Sequence, residues 1–193
     1  CEEHAASFPP ARLLHDWQVP ALQRTLPCAP LHLATTGDVR TLACALACEA
    51  DFAQRPHWHG AARETGPWAR QRHPPDRLPA TAWERLAARW RELVELSCAG
   101  ENPLLQQGAL RFAAGEAVAW CEMARGLLLH WVRLDACGRV RDYRVLAPTE
   151  WNFHPEGALA RALERLDPSD TTSSALLGAA FDACVPCTVA SEA

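Results

Sequence analysis

The chain has no lysine. All 19 of its basic residues are arginine, set against 23 acidic ones, which gives a formal net charge of -4 and an isoelectric point near 6.1. That balance argues against a nucleic-acid-binding surface. No run approaches the ~18 apolar residues that a membrane-spanning helix needs, so no membrane partner is expected. No basic stretch leads into an apolar one in the manner of a secretory signal. Internal repeats and low-complexity segments are absent as well. Methionine occurs once, as Met123, so a processed form or a fragment is expected. An even, regularly spaced cysteine set is also lacking. The nine cysteines are Cys1, Cys28, Cys44, Cys48, Cys98, Cys121, Cys137, Cys184 and Cys187. An odd and irregular set is unlike a secreted disulfide scaffold, so free thiols in a reducing, cytoplasmic setting are expected. Most should be buried apolar residues, for example Cys44 and Cys48 at helical spacing.

At 193 residues the chain can build one core or two tightly joined lobes. Residues 1–37 are punctuated by proline, with short helical pieces around 11–17 and 20–25. A helix is expected from Gly37-Asp38 to about Phe52, with Asp38 as its N-cap. Residues 53–80 form a long irregular stretch rich in Pro, Arg, His and Trp, a length usually reserved for function or disorder. The clearest helix begins at Thr81, which forms a capping-box pattern with Glu84. Its apolar stripe is Trp83, Leu86, Ala87, Trp90, Leu93 and Val94, which leaves Arg85, Arg89, Arg91, Glu92 and Glu95 to face water. Asn102–Ala114 is expected as a second, weaker helix.

From Ala117 the pattern turns to strands. Leu127–Leu134 and Val140–Leu146 flank Asp135-Ala136-Cys137-Gly138, a turn closed by a left-handed glycine, which predicts a β-hairpin. Pro148 ends it. A helix follows from Pro155–Ala158 to about Leu166, and a last short one over Ala175–Ala183, capped by Ser173 or Ser174, delivers Cys184-Val185-Pro186-Cys187. Two cysteines three positions apart can aim both sulfurs at one point, as a soft metal or a redox disulfide requires. Alone, such a pair is as consistent with buried structural thiols.

Four segments carry a family resemblance. In order they are Glu64-Thr65-Gly66-Pro67-Trp68-Ala69-Arg70, then Glu122-Met123-Ala124-Arg125-Gly126 with His130-Trp131, then Pro148-Thr149-Glu150-Trp151-Asn152, and last Asp182-Ala183-Cys184-x-x-Cys187. Together they resemble the C-terminal half of the large subunit of nickel-iron hydrogenases over about residues 64–190. The fold this implies is α+β, mainly helical with a β-hairpin or small antiparallel sheet, as a single large-subunit-like domain over 1–193. In that family a nickel-iron pair is held by two Cys-x-x-Cys motifs, and the iron carries CO and two cyanides beneath an arginine and a hydroxyl. The resemblance assigns those two roles to Arg125 and Thr149, with Pro148 beside them. A guanidinium suits cyanide nitrogens in a dry pocket, because charge-assisted donors matter most there.

The departures matter as much. Ala124 and Ala183 stand where the family has proline, and Ala190 where it has its last histidine. An N-terminal Cys-x-x-Cys is missing, although Cys1-Glu2-Glu3-His4 looks like the end of one. On this alignment Cys1 and Cys187 keep the iron-bridging positions and Cys184 a terminal one. Nickel would be short of thiolates. Such a chain is similar to the non-catalytic assembly scaffolds of the superfamily (HupK/HoxV type). The implied function is a maturation scaffold that holds the Fe(CN)2CO unit between the hydrogenase maturation complex and the hydrogenase large subunit. The alternatives are a degenerate catalytic subunit that still carries nickel, and an interaction module whose Cys-x-x-Cys binds zinc or forms a disulfide.

The bland readings stand beside these. Arg125 would otherwise pair with Glu122 or Glu116, and Thr149 would cap the turn after the hairpin. Glu64 and Arg70 are expected to partner one another or neighbouring segments. His57-x-His59 lacks further ligands at zinc spacing. His4 and His130 are expected as hydrogen-bonded pocket walls; the sequence leaves open whether Cys121 or Cys137 supplies a substitute ligand, with Cys121 the alternate.

Overall fold

A computed structural model describes residues 12, 15–18, 20–21, 24–26, 29–71, 80–99 and 104–182. Cys1, His4, Cys184 and Cys187 therefore lie outside the described residues. The central feature is a four-stranded antiparallel meander, β3 (Gln107–Ala113), β4 (Glu116–Met123), β5 (Gly126–Leu134) and β6 (Val140–Leu146), in that spatial order. The expected hairpin is its second half. In the β5–β6 turn, Asp135 Oδ1 accepts the N–H groups of Cys137 at 2.8 Å and Arg139 at 2.9 Å, and Gly138 sits at φ 77°.

The sheet adds two strands to the hairpin and so forms the small antiparallel sheet that the resemblance implies. Residues 104–114 are not helical: Gln107–Ala113 pairs with β4 from Gln107↔Cys121 to Ala113↔Glu116. The Gln, Ala and Leu content of that stretch favours helix only weakly, and cross-strand pairing overrides it. The chain is thus α+β with helix and sheet both prominent, rather than mainly helical.

Helix α1 (Thr36–Cys48) lies on one face of the sheet. Its N-cap is Thr35, not Asp38. Asp38 occupies the third helical position and completes the capping box, its Oδ2 accepting Thr35 N–H at 2.8 Å while Thr35 Oγ1 accepts Asp38 N–H at 3.2 Å. Leu42 and Leu46 of α1 pack into a cluster with Val118, Leu127, Leu129, Trp131, Leu146 and Trp151. Cys44 and Cys48 point the other way and are exposed, contrary to expectation, because Leu42, Ala43 and Leu46 take the inward stripe.

A single turn, α2 (Pro67–Arg70), lies in the chain between the two strands of a ribbon, β1 (Thr25–Leu26) and β2 (Ala80–Thr81). β2 runs directly into α3 (Ala82–Ala99). The predicted capping box is present there: Glu84 Oε2 accepts Thr81 N–H at 2.6 Å, and Thr81 Oγ1 accepts Glu84 N–H at 3.2 Å.

Three short helices close the described chain: α4 (Pro148–Asn152), α5 (Ala158–Leu163) and α6 (Thr171–Phe181). Pro148 stands in the first turn of α4, where a missing N–H costs nothing. Helix α6 is capped by Asp170, not by Ser173 or Ser174: Asp170 Oδ1 accepts Ser173 N–H at 2.9 Å. Leu159, Leu176, Leu177 and Phe181 join Leu26, Ala82 and Leu86 in a second apolar cluster.

The expected stripe of α3 holds in its first half, where Leu86 is buried and Trp83 packs against the second cluster, and fails in its second half. Arg85 and Glu92 are buried at 3% and 5% exposure, while Leu93 and Val94 stand 52% and 56% exposed. Positions 85, 89 and 92 recur at helical spacing just as the apolar stripe does. The helix has turned this charged stripe inward because each charge meets a partner there.

Candidate functional site

Three of the four segments singled out by sequence converge on one point, and the start of the fourth joins them. The 64–70 segment enters as an extended stretch bridged to residues 29–31, with Leu31 N–H donating to Glu64 O at 2.7 Å and Glu64 N–H to Ala29 O at 2.9 Å. Thr65 then ties two other segments together. Its N–H donates to Asn152 Oδ1 at 2.9 Å, and its Oγ1 accepts Leu127 N–H at 2.9 Å. Asn152 Nδ2 donates in turn to Arg125 O at 3.3 Å.

The backbones approach so closely that glycine is required. Gly126 has φ 128°, and a Cβ there would come within 2.7 Å of Thr65 Oγ1 and 2.9 Å of Gly66 N. This contact explains the glycine after the arginine in that motif.

Arg125 stands at the two-residue turn between β4 and β5 and is exposed among the described residues, at 42% of its side chain, rather than enclosed in the dry pocket expected. It pairs with neither Glu122 nor Glu116. Its Nε donates to Asp182 O at 3.2 Å and lies 3.3 Å from Asp182 Oδ2. Asp182 closes α6 in the left-handed conformation at φ 52° and immediately precedes Ala183-Cys184. A second arginine, which sequence reading had placed in water, joins it. Arg89 Nη1 and Nη2 donate to the C-terminal carbonyls of Ala179 and Ala180 at 3.0 and 2.9 Å, and its Nε lies 3.7 Å from Asp182 Oδ2. Burial lowers the Arg89 pKa from its ordinary value; Asp182 opposes that shift and Arg125 adds to it. Cationic side chains are well placed at a helix C-terminus, and here two of them fix the last described residue before the cysteine pair. Arg85, Arg89, Arg125, Thr65 and Asn152 border a cleft of about 20 Å³, room for a single water.

Behind this point lie two buried ion-pair systems. Arg85 forms a two-pronged bond with Glu64, both contacts at 2.7 Å, and donates to Ala80 O and Thr81 O at 3.3 and 3.1 Å. Its guanidinium lies 4.7 Å from the Trp68 ring centroid and 5.1 Å from that of Phe181, so it also fixes the end of α6. Arg70 donates from Nη1 to Glu92 Oε1 at 2.6 Å and from Nη2 to Met123 O. Its Nη2 also comes within 3.1 Å of Glu122 Oε2, an ion pair with both side chains largely buried. Burial raises the Glu122 pKa, with Arg70 opposing the shift. Glu64 and Arg70 are therefore structural, as expected, but pair with α3 rather than with each other. The sequence signal for these partners was the periodicity of Arg85, Arg89 and Glu92.

The remaining candidates divide. Pro148 is buried, and Thr149 is half-buried with its carbonyl accepting Phe153 N–H at 2.8 Å. His57 Nε2 lies 3.1 Å from Glu49 Oε2. His130 is not a pocket wall: it stacks on Tyr143 across the outer face of the sheet, its Nδ1 2.5 Å from the hydroxyl. Cys121 lies on that outer face with its sulfur 3.4 Å from Met123 Sδ. Cys137 sits in the β5–β6 turn, a full strand (about 25 Å) from Arg125. No group of three or more His, Cys, Asp or Glu side chains that could hold a metal occurs among the described residues. Beyond Arg70, a cavity of about 630 Å³ is lined by Leu31, Leu33, Val39, Trp120 and Leu127, with Arg70 and Glu122 in its wall.

Residues 79–189 match the family described as nickel-dependent hydrogenase, and the chain belongs to that family. Within it, the chain is similar to hydrogenase expression/formation proteins. It is 44% identical to HoxV of Cupriavidus necator over 93% of this chain and 53% of HoxV. It is 36% identical to HupK of Bradyrhizobium diazoefficiens, covering 81% of this chain and 46% of that protein. With HupK of Rhizobium leguminosarum the identity is 33%, over 78% and 44%. The chain spans about half the length of these relatives.

Proposed function

We propose that the chain is a hydrogenase maturation scaffold whose cargo is the Fe(CN)2CO unit, carried from the maturation complex to the large subunit. The observation that carries this reading is the contact of Arg125 with Asp182. It sets a guanidinium against the residue that leads into Cys184-Val185-Pro186-Cys187. Thiolates are soft ligands suited to such an iron, and a guanidinium supplies charge-assisted donors to cyanide nitrogens. In this reading Cys187 and Cys1 grip the iron with Cys184 as a further metal contact, while Arg125 and Thr149, with Pro148 beside them, receive its diatomic ligands. A carrier must release what it binds, so fewer thiolates than a finished nickel-iron centre favour transfer. The relatives' names support the maturation role.

The test is elemental analysis with infrared spectroscopy on protein purified from cells that carry the maturation system. CO and cyanide bands with iron and no nickel are expected. Nickel would instead indicate a catalytic subunit; zinc, or no metal, would indicate an interaction module. Cys187→Ala should abolish the bands while leaving the fold intact, and bands at full intensity in that variant would overturn the assignment of Cys187.

A further inference from the structure

The sheet has two unlike faces. The inward face carries Val118, Leu129 and Trp131 against α1, together with the charged Glu116, Glu122 and Asp142. The outward positions, alternate along each strand, carry no carboxylate at all, in a chain with 23 acidic residues. They are mostly apolar, with Leu128 and Val132 half-buried and Met123, Leu134 and Tyr143 at 46%, 37% and 54% exposure. Helix α1 packs on the opposite face, where Leu42 and Leu46 meet Val118, Leu129 and Trp131. Arg111 on edge strand β3 and Arg141 on edge strand β6 flank it, both exposed. A contiguous apolar patch of this kind marks an interaction surface.

The geometry points to a docking face for a protein partner that presents an apolar patch fringed by carboxylates. Resting on the maturation reading, that partner is the hydrogenase large-subunit precursor that receives the cargo. Charge chooses between occupants. A second copy set face to face would bring arginine edges against arginine edges with no carboxylate to meet them, whereas an acidic rim would pair with both. Size sets the lifetime. Four strands of about seven residues span roughly 19 by 23 Å, or about 440 Å². That is about half of the ~800 Å² per partner typical of stable complexes. The contact is therefore transient, as handover requires.

The test measures binding of the purified large-subunit precursor to the intact scaffold by biolayer interferometry, with circular dichroism and thermal melts confirming that each variant is folded. Val132→Glu and Tyr143→Glu should each weaken binding at least tenfold. Leu93→Glu, on the exposed side of α3, should leave it unchanged. Raising salt from low to about 0.5 M should weaken binding severalfold, as screening of the arginine rim demands. Equal affinity of the face variants, or no binding by the wild type, would overturn the docking face. So would self-association that these variants abolish, or hydrogen exchange showing the face already covered in the free protein. The infrared bands are read separately on the same samples. Bands without an effect of the face variants would remove the docking face alone, and absence of bands would remove the cargo reading alone.

Discussion

Between α1 and the sheet the large buried side chains are apolar, with Leu42, Leu46, Trp131 and Leu146 meeting in one cluster. Between α3 and the 64–70 segment the buried side chains include Arg70, Arg85, Glu64 and Glu92. The first seam depends on volume and the second on pairing. An apolar seam tolerates substitution that keeps its volume. A buried ion pair gains little over an apolar pair, yet losing one partner strands a charge. The ionic seam is also the one that places the motif residues: Arg85 holds Glu64 and stacks on Phe181, and Arg70 holds Met123 next to the Arg125 turn. The apolar seam supplies stability, and the ionic seam supplies a geometry that few alternative packings can satisfy.

The sharpest way to break this contrast is Arg85→Ala. With both side chains of the pair almost fully buried, at 2% and 6% exposure, the loss should be about 3–5 kcal/mol, a large share of a typical domain's stability. Glu64→Ala should cost about as much. The double variant Glu64→Leu/Arg85→Met should recover more than half of the loss, because no charge is then left unpaired. Chemical denaturation checks all three, and additive losses in the double variant would show that the seam rests on volume after all.

Next in size is Gly126→Ala. A methyl group there meets Thr65 and the Gly66 backbone in a conformation that side chains rarely adopt, and roughly 2–4 kcal/mol should be lost. Leu46→Met, in the apolar seam, should cost less than ~1.5 kcal/mol by the same measurement. A larger cost for Leu46→Met than for Gly126→Ala would reverse the contrast.

Much of the apolar side was legible in the sequence and little of the ionic side was. The β5–β6 hairpin followed from Asp135 and Gly138, and the start of α3 from Thr81 and Glu84, because turn and cap chemistry are local. The order of the four motifs was also legible, and three of them converge together with Asp182, the start of the fourth. The strand Gln107–Ala113 was not, since an edge strand of mixed composition gains its hydrogen bonds from a neighbour that sequence does not reveal. The inward turn of α3 was missed for a related reason. Charged residues face water by default, and the default fails only when partners such as Glu64 and Arg70, distant in sequence, are brought beside them.

A smaller effect comes from acid. His154 is buried and its Nδ1 accepts Glu156 N–H at 3.0 Å, a role open only to the neutral ring. Burial lowers its pKa below 6.5, with Arg55 and His57 adding to the shift and Glu156 opposing it. The unfolded chain therefore binds the proton first as pH falls. Stability contributed by neutral His154 is present above pH 6.5 and lost as pH drops through the lowered folded value. Thermal melts from pH 7.5 to 5.5 should fall in midpoint, and His154→Gln should flatten that slope. An unchanged slope would place the acid sensitivity elsewhere.

The smallest expected effect is the most discriminating for α3. Leu93 and Val94 belong to the apolar stripe by periodicity, yet both are more than half exposed, while Arg85 and Glu92 occupy the interior. If periodicity of hydrophobic residues governed the packing of this helix, Leu93→Gln and Val94→Gln would each create a cavity and cost about 2 kcal/mol or more. If pairing governs it, both substitutions alter only exposed surface and should stay within ~0.5 kcal/mol of the parent. Helix propensity slightly favours glutamine over valine, so Val94→Gln should be neutral or mildly stabilising. Measured beside Arg85→Ala, the same helix would then yield its largest loss from a charged residue and almost none from two large apolar ones, the reverse of what an amphipathic helix on an apolar core would give.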